Sequence, residues 1–137
     1  MTRIKLDLEP DPEVSVIGIS SHEKDYRLCW ALNRRLGIAM GRRENDITDD
    51  RAGTPSSYAV FDHEEEGTEA HYMLVNNHGL AGSLFKEFRQ ADYFLVVDNN
   101  ANIRRDELLD RVRTTEHVLA AFPLEFKEIR GAHKLLR

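Results

Sequence analysis

Apolar and charged positions alternate at the start of the chain: Ile4, Leu6 and Leu8 are each flanked by Arg, Lys, Asp or Glu. A period of two predicts a half-buried strand, here stopped by Pro10 and Pro12. VSVIGIS, Val14 to Ser20, reads as a second short strand or as a continuation after a kink. The period then lengthens. From Ser20 to Leu36 the pattern is helical, with Ser20-x-x-Glu23 as a capping box and Gly37 in place to end the helix. At 100° per residue, Tyr26, Leu28, Cys29, Trp30, Leu32 and Leu36 cover more than half of its circumference. The helix is therefore expected to be largely buried. Glu23, Lys24, Arg27, Arg34 and Arg35 take the solvated arc, while His22, Asp25, Cys29 and Asn33 fall inside the apolar sector.

From residue 41 to 57 the period vanishes, and GRRENDITDDRAGTPSS reads as a mobile surface loop. YAVFDH and AHYMLV flank EEEGTE, which predicts a hairpin with Gly67 in its turn. NNHGLAGS is another loop, and SLFKEFRQ places Leu84, Phe85 and Phe88 on one side of a short helical turn. ADYFLVVD is apolar at successive positions, the mark of a central strand buried on both faces. A second helix between Asn102 and Thr114 gathers Leu108, Leu109 and Val112 on one stripe, with Asn102 as its N-cap. HVLAAFPL supplies a last strand ended by Pro123, and the tail from about residue 124 reads as weakly helical or frayed. The order β(β)–α–β–β–β–α–β predicts a single α+β domain over 1–137. It combines a mostly antiparallel sheet of about five strands with two helices packed on one face, a two-layer sandwich for which a ferredoxin-like variant is suitable.

Composition narrows the function classes. At 137 residues and 41% hydrophobic, the chain is long enough to bury a core without metals or disulfides. A net charge of -5 argues against general nucleic-acid binding, which relies on clustered Lys and Arg. Cys29 is the one cysteine, so neither an internal disulfide nor a Cys-based zinc cluster is expected. The opening residues contain no apolar targeting core and no run reaches membrane-spanning length, so a cytoplasmic setting without membrane contact is expected. Nothing calls for a cofactor.

The polar stripe on the first helix has two readings. In one, it lines a cleft in which His22 is a base oriented by Asp25, with Asn33 as a further contact. In the other, His22 and Asp25 tie the helix start to its neighbours, and Cys29 is a small buried hydrophobe. A Cys29–His22 dyad is excluded, because seven residues of helix separate the two by about 10 Å. Arg34, Arg35, Arg42 and Arg43 gather around the helix end as an anion or RNA contact, but without interleaved aromatics for base stacking. His63 and His71 flank an acidic hairpin turn, which is more simply a solvated turn than a metal site. Gly79, Gly82 and Ser83 offer backbone N–H groups to an anion only in a weak pattern. No nucleophile elbow, dinucleotide fingerprint or zincin helix is present in the sequence.

The block VIGISSHEKDYRLCWALN, Val16 to Asn33, together with QADYFLVV, Gln90 to Val97, resembles the bacterial IPExxxVDY family of small proteins. The motif that names that family is reduced here to TTEHVLAAF, Thr114 to Phe122, in which Glu116 and the aromatic end survive. The family brings no established activity, ligand or catalytic residue, so the resemblance transfers no site. The leading expectation is a non-enzymatic interaction or accessory domain that meets a protein partner through the 20–36 helix and adjoining loops. The alternatives are a small-ligand or anion-binding protein or enzyme with a cleft around His22 and Asp25, and RNA binding through Arg34 to Arg43. A homodimer is compatible with the long apolar strand ADYFLVV.

Overall fold

The computed structural model describes residues 13–49, 55–80 and 82–136. The strand expected over residues 4–8 lies outside them, as do residues 50–54 of the expected loop. Six strands form one sheet in which every neighbouring pair is antiparallel. In chain order they are β1 (Val14–Ser20), β2 (Gly41–Arg42), β5 (Val60–Glu64), β6 (His71–Asn76), β9 (Tyr93–Asp98) and β10 (Ala120–Leu124). Two small pairs stand apart, β3 (Ile47–Asp49) with β4 (Ser56–Tyr58), and β7 (His78–Gly79) with β8 (Gly82–Ser83).

The sheet order is β10-β1-β9-β6-β5-β2. Helix α1 (Asp25–Leu36) follows β1, and α2 (Arg105–Arg113) joins β9 to β10. The four strands β10-β1-β9-β6 with these two helices thus have the split β-α-β order of a ferredoxin-like sheet, widened on one side by β5 and β2. Both helices lie on one face, as expected. Leu28, Cys29 and Leu32 of α1 and Leu108 and Val112 of α2 pack on Ile17, Ile19, Leu74, Leu95 and Val97.

The opposite face is also dry. Val16, Met73, Val75, Phe94 and Val96 are covered by Ile47 and Tyr58 of the β3–β4 pair, by Leu84 and Phe85, and by the C-terminal segment. Hence Tyr93 to Val97 are all buried, which explains the unbroken apolar run of β9. The tail read as weakly helical or frayed is part of this cover. Two 3-10 turns, Phe126–Glu128 and Ala132–Leu136, bring Phe126, Ile129, Ala132 and Leu135 into the core. Their spacing follows the tight period of such turns, which is why the sequence reads there as only weakly helical. Within 41–57 the described residues contribute β2, β3 and the start of β4, strands of two or three residues that leave no readable alternation.

Two details position the rest. Gly18 faces Phe122 across β1 and β10, and a Cβ there would strike the Phe122 ring, so only glycine lets the ring lie flat on β1. Asn77, wholly buried, donates from Nδ2 to the carbonyls of Phe88 (3.3 Å) and Ala91 (2.8 Å) and accepts the Phe85 N–H at Oδ1 (2.9 Å). This one side chain satisfies backbone groups that the irregular 77–92 segment leaves over.

The helix starts differ from expectation. α1 begins at Asp25 with Lys24 at its N-cap, because Ser20 still belongs to β1 and its hydroxyl donates to the Gln90 carbonyl. Ser21 Oγ accepts the Glu23 N–H instead, at 3.1 Å. α2 begins at Arg105 with Arg104 at its N-cap, so Asn102 lies outside it. The end of α1 agrees: Gly37 takes φ 70 and its N–H reaches the Asn33 carbonyl.

Candidate functional site

The buried stripe of α1 is narrow: Leu28, Cys29, Ala31 and Leu32. Tyr26 and Trp30 were expected in the core, but they are 57% and 55% exposed. The correction has a geometric cause. At 100° per residue these two aromatics point about 160° away from the centre of the Leu28–Leu32 stripe. A helix lying on a sheet covers only the side that touches it, so apolar residues on the far side stay in water. Tyr26 and Trp30 stand one turn apart on that outward face.

Charged groups frame the pair. The Arg34 guanidinium lies over the Trp30 ring, 4.8 Å from its centre. Arg35 Nε donates to Thr114 Oγ1 at 3.2 Å, which joins the end of α1 to the end of α2. Arg27 sits 3.6 Å from Glu23. Opposite α1 rises the turn that follows α2. Thr114 and Thr115 fix it by donating their hydroxyls to the last α2 carbonyls, Thr115 to that of Arg111 at 2.7 Å. Beyond them His117 adopts φ 77 and places Nδ1 3.8 Å from Glu23. A non-glycine residue in that region is held there by its surroundings.

Between helix and turn lies a depression of about 620 Å3, lined by Tyr26, Arg27, Trp30, Glu116 and His117. It runs into a second of about 300 Å3 that shares Trp30 and Glu116 and adds Arg34, Arg35, Thr114 and Thr115. A smaller apolar cavity of about 260 Å3 sits between α2 and the β1–β10 edge. Arg105 at its border is already bound to Ser15 Oγ and the Val14 carbonyl, so that cavity offers no uncommitted cation.

The residues expected to form a site do not assemble into one. His22 is exposed in the turn before α1, and among the described residues no hydrogen bond or ion pair joins it to Asp25. The Asp25 carboxylate accepts the N–H of Tyr26 at 2.7 Å. Asn33 is a clamp: Nδ2 donates to the Met40 carbonyl at 3.0 Å and Oδ1 accepts the Met40 N–H at 2.9 Å. Cys29 lies beside it with its thiol 3.5 Å from the same carbonyl. Burial, helped by the Asp25 carboxylate, pushes that thiol up to about 11, so it is a protonated core group rather than a nucleophile.

The four arginines divide. Arg34 and Arg35 flank the groove, whereas Arg42 binds Asp46 at 2.7 Å and Arg43 donates to the Asn45 carbonyl at 2.7 Å, away from it. His63 packs near Tyr72, while His71 meets Asp62 at 3.4 Å on the other face of the hairpin. No group of three His, Cys, Asp or Glu that could hold a metal occurs among the described residues. Gly79 packs against Ser56 and Tyr58.

Three contacts were not legible in the sequence. His78 Nε2 lies 2.8 Å from Asp92 Oδ1, and Asp92 Oδ2 accepts the Ser21 N–H at 2.9 Å. Tyr93 donates its hydroxyl to the Glu23 carbonyl at 2.6 Å, and burial, with Asp25, Asp92 and Glu23 adding, pushes it up to about 12. They brace the link from β1 to α1. The groove itself had one sequence signal: two large aromatics, i and i+4, opposite the Leu28–Leu32 stripe. No helix among the described residues is long and apolar enough to cross a membrane. In comparisons with known proteins, no family model and no curated protein matches the chain.

Proposed function

We propose that this chain is a non-enzymatic interaction or accessory domain, and that a partner protein docks on the outward face of α1 and the turn after α2. The observation that carries this reading is the solvent exposure of Tyr26 and Trp30 beside a groove rimmed by Arg34 and Arg35. Trp, Tyr and Arg are the side chains that dominate binding energy in protein interfaces. Two large aromatics left in water on a rigid helix are costly unless something covers them. A cytoplasmic setting belongs to the same reading, since a fold with one buried thiol requires no oxidising compartment.

Single-stranded RNA is the second reading. It gains from the same exposure, because Tyr26 and Trp30 next to Arg34 and Arg35 supply the stacking platform that the sequence lacked.

The test is a cross-linked affinity capture from cells, run in parallel with wild type, Tyr26→Ala and Trp30→Ala. Both substitutions sit in water and should leave thermal unfolding nearly unchanged. A protein retained by wild type and lost by both variants is the expected result. Identical captures from all three would end the proposal.

A further inference from the structure

We infer that the segment docking in this groove is an acidic stretch of a partner protein carrying one or two large apolar side chains, the apolar groups entering beside Trp30 and the carboxylates meeting Arg34 and Arg35. This deepens the interaction reading above and rests on it.

Charge is the first argument. Acidic residues outnumber basic ones 24 to 19 over the chain, yet the two depressions, which share Trp30 and Glu116, are lined by Arg27, Arg34 and Arg35 against Glu116. Glu23 offsets Arg27 from behind and leaves the positive sign to Arg34 and Arg35. The local sign is the reverse of the molecule's, so a negative segment is repelled by most of the surface and drawn to this groove.

The second argument is which cations are free. Arg27, Arg42, Arg104, Arg105 and Arg111 each have a carboxylate within 4.0 Å. Among the described residues Arg34 and Arg35 have none, as is true of Arg43, Arg89, Arg113 and Arg130, but of these only Arg34 and Arg35 line the depressions. One is stacked on Trp30, the other bonded to the neutral hydroxyl of Thr114. A guanidinium that stacks through its face keeps its in-plane N–H donors available, and those donors match a carboxylate in two-point geometry. Stacking also pre-orders the Arg34 side chain, so less conformational freedom is lost when a partner binds.

Glu116 decides between the two polyanion classes. It borders both depressions, midway along any ligand that spans them. A nucleic-acid strand carries a charge at every phosphate and would have to place one near that carboxylate. A peptide can put an apolar side chain there and its acids on either side. The 620 Å3 depression beside Tyr26, Trp30 and His117 has room for such a side chain. The favoured occupant is therefore a peptide.

Trp30 is the one tryptophan of the chain, so its emission reports the groove directly. A displayed random peptide library is selected against the full chain and counter-selected against Trp30→Ala, and purified binders are titrated by Trp30 fluorescence. Expected are binders rich in Asp and Glu around Leu or Phe, weakened by salt, with tryptophan left out of the library so that Trp30 remains the sole emitter. Arg34→Gln with Arg35→Gln, and separately Arg34→Glu with Arg35→Glu, should lose affinity about tenfold or more while circular dichroism is unchanged. Trp30-dependent binders with no acidic bias, indifferent to both arginine pairs, would overturn this inference and leave the interaction surface standing. Absence of any Trp30-dependent binder would overturn both. Displacement of the selected peptides by oligouridylate at lower concentration than by free peptide would overturn it in favour of RNA.

Discussion

Asn33 illustrates how a polar residue on an apolar helix face is settled. Its amide closes a two-point bond with the backbone of Met40, both donor and acceptor used on the same residue. Replacing it with alanine leaves the Met40 N–H unpaired and its carbonyl held by the weak Cys29 thiol donor alone, a loss of about 1–3 kcal/mol. Asn33→Asp keeps the acceptor but sets a carboxylate against the Met40 carbonyl, so it should fall short of wild type too. Denaturant unfolding measures both, and an Asn33→Ala curve that overlays wild type would remove the clamp from the account. That Asn33 needs a partner was legible; that the partner is backbone seven residues onward was not, because a 37–40 excursion has no period to read. At the same scale, the Cys29 thiol is raised from 9.0 to about 11 and the Tyr93 phenol from 10.0 to about 12. In both, the neutral form is favoured by folding, so the unfolded chain gains more from losing the proton. Their stabilisation is complete below about pH 9 and is lost as pH climbs to about 11 for the thiol, and between about pH 10 and 12 for the phenol. Urea midpoints measured against pH should fall across that window, and Tyr93→Phe should flatten its upper part. A midpoint level from about pH 9 to about pH 11 would contradict the assignment.

Strands and helices show what periodicity can and cannot announce. β1, the β5–β6 hairpin and β9 were legible because each is long enough to alternate or to run apolar throughout. β3 and β4 were not, being shorter than one readable repeat, whereas the short helical turn read in SLFKEFRQ is the 3-10 turn Lys86–Phe88 and the tail, read as weakly helical or frayed, holds two more. α1 was legible as an element yet misjudged in orientation. Hydrophobicity counts how many apolar residues a helix has, whereas burial depends on how much sheet lies beneath it. Tyr26 and Trp30 exceed that footprint, and so the candidate site combines two residues assigned to the core with the expected Arg34 and Arg35, while Cys29 and Asn33 of the expected stripe are packing and His22 stays in water. The β1–β10 pairing makes a sharper element-level prediction. Gly18→Ala drives a methyl into the Phe122 ring and should destabilise by about 1–3 kcal/mol. Phe122→Leu in the same background should recover part of it, a non-additivity that a double-mutant cycle reads directly. Additive losses would mean the two residues do not share that space.

For the whole molecule, the two-sided burial of the sheet makes residues 126–136 structural. Phe126, Ile129, Ala132 and Leu135 close a face that includes Phe94 and Val96 at the sheet centre. Burying a large apolar side chain contributes about 1.5–3 kcal/mol, and a domain's entire stability is about 5–15 kcal/mol. A chain ending at Glu125 should therefore bind a hydrophobic dye and lose its sharp thermal transition; a cooperative melt within a few degrees of wild type would contradict this. The sheet order has a consequence for synthesis as well. β1, the first described strand, lies between β9 and β10, the last two. On the ribosome it emerges before both of the strands it pairs with in the finished sheet, which come only with residues 93–98 and 120–124. Contacts so distant along the chain close slowly, so an unfinished VSVIGIS is an open template for pairing with another nascent chain. An edge left open in this way is the kind of surface that chaperones shield.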